Sequence, residues 1–176
     1  DLLPALALGA ERPDPAIMKR PPRPRRARLL DAPLLARAYL WLGMMEAAAA
    51  LTAFFLVLGG TGWQPGLMPG FDDPGYRAAT SACLAAIVVM QVANVFLCRS
   101  PHRSLLETGV GGNPLLPVAL AAELALLLAI VYTPLGQKVF ATAPLPAWVW
   151  LALVPMALFM VLAEEARKAW RRHQNR

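Results

Sequence analysis

The sequence is short of charged residues, cysteines and histidines. Only 16% of its 176 residues are Asp, Glu, Lys or Arg, whereas soluble domains have about 25%. Cys83 and Cys98 lie on one apolar run and are too far apart along a helix for a mutual disulfide. His102 and His173 lie in separate polar segments, with no metal-ligand spacing or nucleophile–base pair around them. These shortages argue against a soluble domain, a disulfide framework and an enzymatic centre within this chain.

Long apolar runs dominate what is present. Hydrophobic residues make up 57% of the chain, and its mean hydropathy is +0.47. A helix of about 20 apolar residues crosses a hydrocarbon core about 30 Å thick. We therefore predict an all-α fold, a polytopic membrane helix bundle with four full transmembrane helices plus the tail of a fifth. The four spans are 38–58, 78–98, 114–132 and 147–168, and the tail is 1–10.

The remaining segments are predicted to be aqueous. They are a basic, proline-rich loop at 11–37, loops at 59–77, 99–113 and 133–146, and a basic tail at 169–176. Fifteen of the 17 Lys and Arg residues fall in the first and third loops and in the C-terminal stretch 163–176. The positive-inside rule therefore makes loops 11–37 and 99–113 and the C-terminus cytoplasmic. Because these charges are not interleaved with aromatics, we expect a lipid bilayer as partner and no nucleic acid.

Rare polar residues inside the spans are predicted to lie at one depth. Asp1, Glu46, Gln91 and Glu123 each fall about 12–15 Å from the nearest cytoplasmic marker, close to the bilayer midplane. Asn94 shares a helix face with Gln91. Because isolated carboxylates in hydrocarbon are costly, we expect these groups to converge on a shared cavity. Oxygen ligands of this kind suit hard cations such as Ca²⁺, Na⁺ or K⁺.

Each of these residues also has a structural alternative. Glu46 could be a protonated residue that is hydrogen bonded to a neighbouring helix, and Glu123 could likewise be structural. Gln91 and Asn94 could simply form interhelical hydrogen bonds. Asp1 could be a frayed end of the chain.

Several short motifs resemble one family of transporters. Asp1-Leu-Leu-Pro-Ala5, Ile17–Arg23, Val88–Asn94, Cys98-Arg-Ser100 with Arg103-Ser104, Tyr132-Thr-Pro134 and Glu164–Lys168 occur in order and at similar spacing. Together they resemble the type II P-type cation-transporting ATPases, the calcium and sodium/potassium pumps and their bacterial relatives. The resemblance identifies the four spans with helices seven to ten and Asp1 with the end of helix six.

Roles for the polar residues follow from this resemblance. Asp1 resembles the helix-six aspartate that coordinates the transported cation, and is the implied metal ligand. Gln91 matches a position that is glutamate in calcium pumps and glutamine in sodium/potassium pumps. Asn94 resembles the asparagine of calcium pumps, and Glu123 matches a helix-nine glutamate linked to a third sodium site. Glu46 falls where sodium/potassium pumps have glutamine, so its role is open, as is the identity of the ion.

The resemblance also implies a function and partners. It makes the chain a membrane-domain fragment of an ATP-driven cation pump, which buttresses the transport core and contributes peripheral cation ligands. The chain begins at Asp1 and contains no phosphorylation motif, so we expect a fragment that binds no cofactor and is inactive alone. The parent is expected to use ATP and Mg²⁺ and to supply the first six membrane helices and the phosphorylation, nucleotide and actuator domains.

Loop 11–37 is expected to lie under the phosphorylation domain and to couple it to helix six through Lys19, Arg20 and Arg23. The expected location is a bacterial plasma membrane. The alternative function is a self-contained small polytopic membrane protein, a scaffold or a secondary carrier.

Overall fold

All regular structure in the described part of the chain is helical. The computed structural model describes residues 2–11, 18, 30–66, 69–100, 104–109 and 111–174. The helices are α1 (Leu2–Gly9), α2 (Ala32–Gly60), α3 (Pro74–Cys98), α4 (Leu105–Thr108), α5 (Leu115–Tyr132), α6 (Pro134–Phe140) and α7 (Ala147–Gln174). Helices α2, α3, α5 and α7 are long and apolar enough to cross a membrane. The predicted all-α membrane helix bundle is confirmed.

Four residues with predicted roles lie outside the described part. They are Asp1 and the three residues of the predicted coupling loop, Lys19, Arg20 and Arg23.

Helices α2, α3 and α7 extend beyond the predicted spans, and short helices form within two predicted loops. Helix α2 begins at Ala32, inside the predicted loop 11–37, where Asp31 Oδ1 accepts a hydrogen bond from the Leu34 N–H at 2.9 Å. Helix α6 forms within the predicted loop 133–146, where Thr133 Oγ1 accepts a hydrogen bond from the Gly136 N–H at 3.1 Å. Helix α4 lies within the predicted loop 99–113, and α7 continues to Gln174.

Helix α2 changes its winding along its length. Residues Ala36–Gly43 form a π-helix, and Met44–Gly60 are regular α-helix. A π-helix is wider than an α-helix and usually occurs only as a single turn. Glu46 lies in the first turn of the regular part.

Small residues let α2 and α3 pack closely. Ala50 and Ala53 of α2 lie in one buried cluster with Ala79, Ala82 and Ala86 of α3. The three alanines of α3 recur at intervals of three and four, so they form one stripe on that helix. In a membrane, close backbone approach along such a stripe is a main source of helix association.

The two ends of the bundle differ in chemistry. At one end, which we call the Trp150 end, Trp150 Nε1 donates to the Tyr132 hydroxyl at 2.8 Å. That hydroxyl donates to the Leu145 carbonyl, also at 2.8 Å. At the opposite end, which we call the Arg99 end, α1 and α3 finish, α2 and α5 begin, and charged side chains cross-link the helices. Helix α1 packs there against α5 through Ala7, Leu116 and Leu120.

Candidate functional site

Polar side chains from three helices line one partly open cavity between the helices. This cavity of about 210 Å³, which we call the polar cavity, is bordered by Glu46 of α2, Gln91 and Asn94 of α3, and Glu123 of α5. Its remaining wall includes Pro4, Ala5 and Leu8 of α1. The structure therefore brings together four of the five polar residues that were predicted to converge on a shared cavity. Their role as cation ligands stays a prediction.

A hydrogen bond between α2 and α3 lies at the wall of this cavity. Asn94 Nδ2 donates to Glu46 Oε1 at 2.9 Å, and Cys98 Sγ donates to Asn94 Oδ1 at 3.3 Å. The amide is thereby held in one orientation. This is also the interhelical contact that the structural alternative predicts for Glu46 and Asn94.

Glu123 has an unsatisfied oxygen. Its Oε2 atom is buried and has no hydrogen-bond partner in the described part of the chain. Glu123 also borders a second cavity of about 330 Å³, which is lined mainly by aliphatic residues such as Leu2, Leu84 and Leu127. Since buried polar atoms in native structures are almost always paired, the partner of this oxygen lies outside the described residues. A cation or a hydrogen-bond donor in either cavity would satisfy it.

The donor set of the polar cavity suits a hard cation. Two carboxylates and two amides supply oxygen atoms, and oxygens are the ligands that Na⁺, K⁺ and Ca²⁺ prefer. Among the residues that the structure describes, no three Asp, Glu, His or Cys side chains lie close enough to hold a metal ion. The two carboxylates of the polar cavity do not by themselves form such a group.

Sequence reasoning missed a cluster at the Arg99 end, which we call the Arg99 clamp: Arg99, Glu11 and Asn113. Arg99 Nη2 donates to Glu11 Oε1 at 2.6 Å. Its Nη1 donates to the Gly109 carbonyl at 2.6 Å, and Nη2 also donates to the Gly111 carbonyl at 2.8 Å. The Arg99 side chain is only 2% exposed. A guanidinium buried to this degree is tolerable because its donors are satisfied.

Glycines shape the loop that supplies those carbonyls. Gly109 has φ +70° and Gly112 has φ +99°, in the region that side-chain-bearing residues rarely adopt. Gly109 carries one of the acceptor carbonyls, and Gly112 follows the other. The backbone conformation that turns both carbonyls toward Arg99 therefore depends on glycine.

Asn113 completes the clamp by joining α1 to α5. Its Nδ2 donates to the Ala7 carbonyl at 2.7 Å and to Glu11 Oε2 at 3.0 Å. Its Oδ1 accepts from the N–H of Leu115, the first residue of α5, at 3.1 Å. The hydrogen bond from Arg99 holds the pKa of the Glu11 carboxyl below its usual value, although burial opposes this.

A second charged cluster ties α2 and α3 to α7. Glu164 is fully buried and accepts hydrogen bonds from Arg37 Nε at 2.9 Å and from Arg167 Nε at 2.7 Å. Lys168 Nζ donates to the Leu97 carbonyl at 3.3 Å. Nearby, Glu165 accepts from the Leu105 N–H at 3.1 Å. Helix α7 is thus fixed to its neighbours by charge as well as by apolar packing.

Comparison with known proteins decides the family. The family model described as "Cation transporting ATPase, C-terminus" matches residues 1–170. The chain belongs to this family. It is therefore a C-terminal membrane domain of a P-type ATPase.

Curated relatives of this ATPase domain are much longer proteins. The chain is 30% identical to a sodium/potassium-transporting ATPase subunit alpha-1 from Anguilla anguilla, with 96% of the chain and 19% of the relative covered. It is 27% identical to the alpha subunit from Drosophila melanogaster, with 98% and 19% covered, and 28% identical to the human alpha-3 subunit, with 96% and 19% covered. The chain thus spans about a fifth of the length of these relatives.

Proposed function

We propose that this chain forms one wall of the transport site of an ATP-driven cation pump. In this proposal it buttresses the moving helices and supplies peripheral cation ligands from Glu46, Gln91, Asn94 and Glu123. The single observation that supports it is the polar cavity, where three helices contribute polar groups and a buried Glu123 oxygen has no hydrogen-bond partner among the described residues.

The other parts of the pump would act from outside this chain. ATP and Mg²⁺ would bind to the phosphorylation and nucleotide domains, and Asp1 would contribute a further ligand from the end of helix six. Loops 11–37 and 99–113 and the C-terminus would face the cytoplasm, and the four long helices would contact lipid. A bacterial plasma membrane is the proposed location. Because the curated relatives are named sodium/potassium-transporting ATPases, Na⁺ and K⁺ are the first ions to test.

The basic loop is proposed to carry the coupling signal. Lys19, Arg20 and Arg23 would contact the phosphorylation domain and pass its movement to helix six. Replacing Arg20 and Arg23 with alanine in the full-length protein should lower the ATPase rate. An unchanged rate together with unchanged ion affinity would contradict this role.

Cation-stimulated ATPase activity of the full-length protein tests the main proposal. Rates are measured against Na⁺, K⁺, Ca²⁺ and Mn²⁺ for the wild type, for Gln91→Ala and for Glu123→Gln. The matched control is Gln137→Ala, because Gln137 is also an amide but lies near the Trp150 end, where it donates to the Val131 carbonyl.

Loss of a ligand should raise the half-maximal cation concentration about tenfold, which is about 1.4 kcal/mol of binding energy. The control should stay within about twofold of the wild type. If Gln91→Ala and Glu123→Gln lower the unfolding temperature but leave the cation affinity unchanged, the cavity is structural and the proposal is wrong.

A further inference from the structure

The Arg99 clamp brings together three parts of the chain that are far apart in sequence. Arg99 follows α3, Glu11 follows α1, and Asn113 precedes α5. The arginine contributes hydrogen bonds to Glu11 and to two loop carbonyls, and the asparagine contributes hydrogen bonds to both α1 and α5. The clamp therefore fixes the end of α1 relative to the start of α5.

Apart from the clamp, α1 is held by apolar contacts with α5 and α3. Ala7 and Leu8 pack with Leu116 and Leu120 of α5, whereas other α1 residues, such as Leu2 and Leu6, are 80% and 70% exposed. Within the described residues, α1 is positioned by these apolar contacts and by the hydrogen bonds of Glu11 and Ala7.

The same helix forms a wall of the polar cavity. Pro4, Ala5 and Leu8 border the cavity opposite the polar side chains. Leu8 lies only three residues before Glu11 and one residue after Ala7, whose carbonyl Asn113 holds. A displacement of the clamped end of α1 would consequently change the shape of the cavity.

We propose that Arg99 is a positioning residue for the cation site: through Glu11 and Asn113 it sets the position of α1, and hence the shape of the polar cavity. This rests on the proposed function of the cavity. Arg99 does not itself border the cavity, so its effect on a cation is exerted through α1. Releasing the clamp should weaken cation binding and change the maximal rate little.

The test compares three arginine variants in the full-length protein. Arg99→Ala removes the clamp, and Arg99→Lys keeps the charge near Glu11 but cannot reproduce the planar fork that reaches both carbonyls. The matched control is Arg77→Ala, because Arg77 pairs with Asp72 at the opposite end of α3, where the Asp72 side chain is 97% exposed. Cation-stimulated ATPase activity gives the half-maximal cation concentration and the maximal rate for each.

The expected result is a change in affinity rather than in rate. Arg99→Ala should raise the half-maximal cation concentration about tenfold, equal to about 1.4 kcal/mol, with a maximal rate within about twofold of the wild type. The half-maximal cation concentration of Arg99→Lys should lie between those of Arg99→Ala and the wild type. That of Arg77→Ala should match the wild type. Glu11→Gln keeps an acceptor for Arg99 while removing the charge, and it should shift affinity in the same direction by a smaller factor.

Two results overturn the proposal, and they are distinguishable. If Gln91→Ala weakens cation affinity but neither Arg99→Ala nor Glu11→Gln does, the cation site stands and the positioning role is wrong. If no cation stimulates the wild type, both the proposed function and the positioning role fail. Should Arg99→Ala not fold, Glu11→Gln and Arg99→Lys decide by the same measurement.

Discussion

Glu46 on α2 and Asn94 on α3 are joined by a 2.9 Å hydrogen bond at the wall of the polar cavity. The two residues are 48 positions apart in the chain, so the bond forms only when the helices pack. Interhelical hydrogen bonds of this type in membranes are worth about 0.6 kcal/mol on average and about 1.7 kcal/mol at most.

A double-mutant cycle should therefore detect this pair. Glu46→Ala and Asn94→Ala should each lower stability, and the double variant should lose less than the sum of the two losses by about 0.6 kcal/mol. The free energy of unfolding in detergent provides the measurement. Additive effects would mean that the two side chains do not interact.

Removing the carboxyl of Glu164 should be the most damaging single change at the Arg99 end. Glu164 is 0% exposed and pairs with Arg37 and Arg167, so Glu164→Ala leaves two guanidinium groups without their partner. Breaking a buried pair in this way costs about 3–5 kcal/mol. The control is Asp72→Ala, which removes an exposed pair worth about 0–1 kcal/mol. Equal unfolding temperatures for Glu164→Ala and Asp72→Ala would contradict the buried pairing of Glu164 with Arg37 and Arg167.

The spans and the cavity residues could be predicted from the sequence, because each has a local signal in it. Uninterrupted apolar runs identify membrane helices, and single polar residues such as Glu46 or Glu123 stand out within them. Counting helical residues then gives depth, and residues at equal depth in one bundle can meet.

The Arg99 clamp could not be predicted in the same way. Arg99 and Glu11 are 88 positions apart, and in a basic loop an arginine gives no indication of its partner. The positive-inside rule counts Arg99 only as a positive charge and gives no information about how deeply its side chain is buried. The available signal was the glycine-rich stretch Gly109–Gly112 before Asn113, which is typical of a loop whose backbone must turn sharply. The cluster around Glu164 was likewise visible only as a short motif.

The ion pair between Glu11 and Arg99 should make stability depend on pH in the acid range. Because the pKa of Glu11 is lowered in the folded protein, its stabilisation is complete above the unfolded-state pKa of about 4.3. It is lost as the pH falls through the lower folded-state pKa. The gap in unfolding temperature between wild type and Glu11→Gln should therefore stay constant from about pH 7 to 5 and close below about pH 4.

The control for this pH dependence is the same Glu11→Gln replacement made in the Arg99→Met protein. Without the guanidinium, replacing Glu11 with glutamine should produce a smaller gap that varies less over the same pH range. A gap that persists unchanged to about pH 3 in the wild-type background would show that Glu11 is not held as a carboxylate by Arg99.

Gly136 should not tolerate a side chain, because α6 turns back onto the end of α5 at this residue. A Cβ atom there would lie 2.5 Å from the Ala129 carbonyl oxygen and 2.6 Å from the Ile130 carbonyl oxygen, both of which belong to the backbone. Gly136→Ala should therefore destabilise the protein by about 1–3 kcal/mol. The matched control is Gly59→Ala on α2, where a Cβ meets nothing within 4 Å and helix propensity predicts a gain of up to about 1 kcal/mol. Opposite shifts in unfolding temperature are expected, and a neutral Gly136→Ala would mean that α6 does not pack closely against α5.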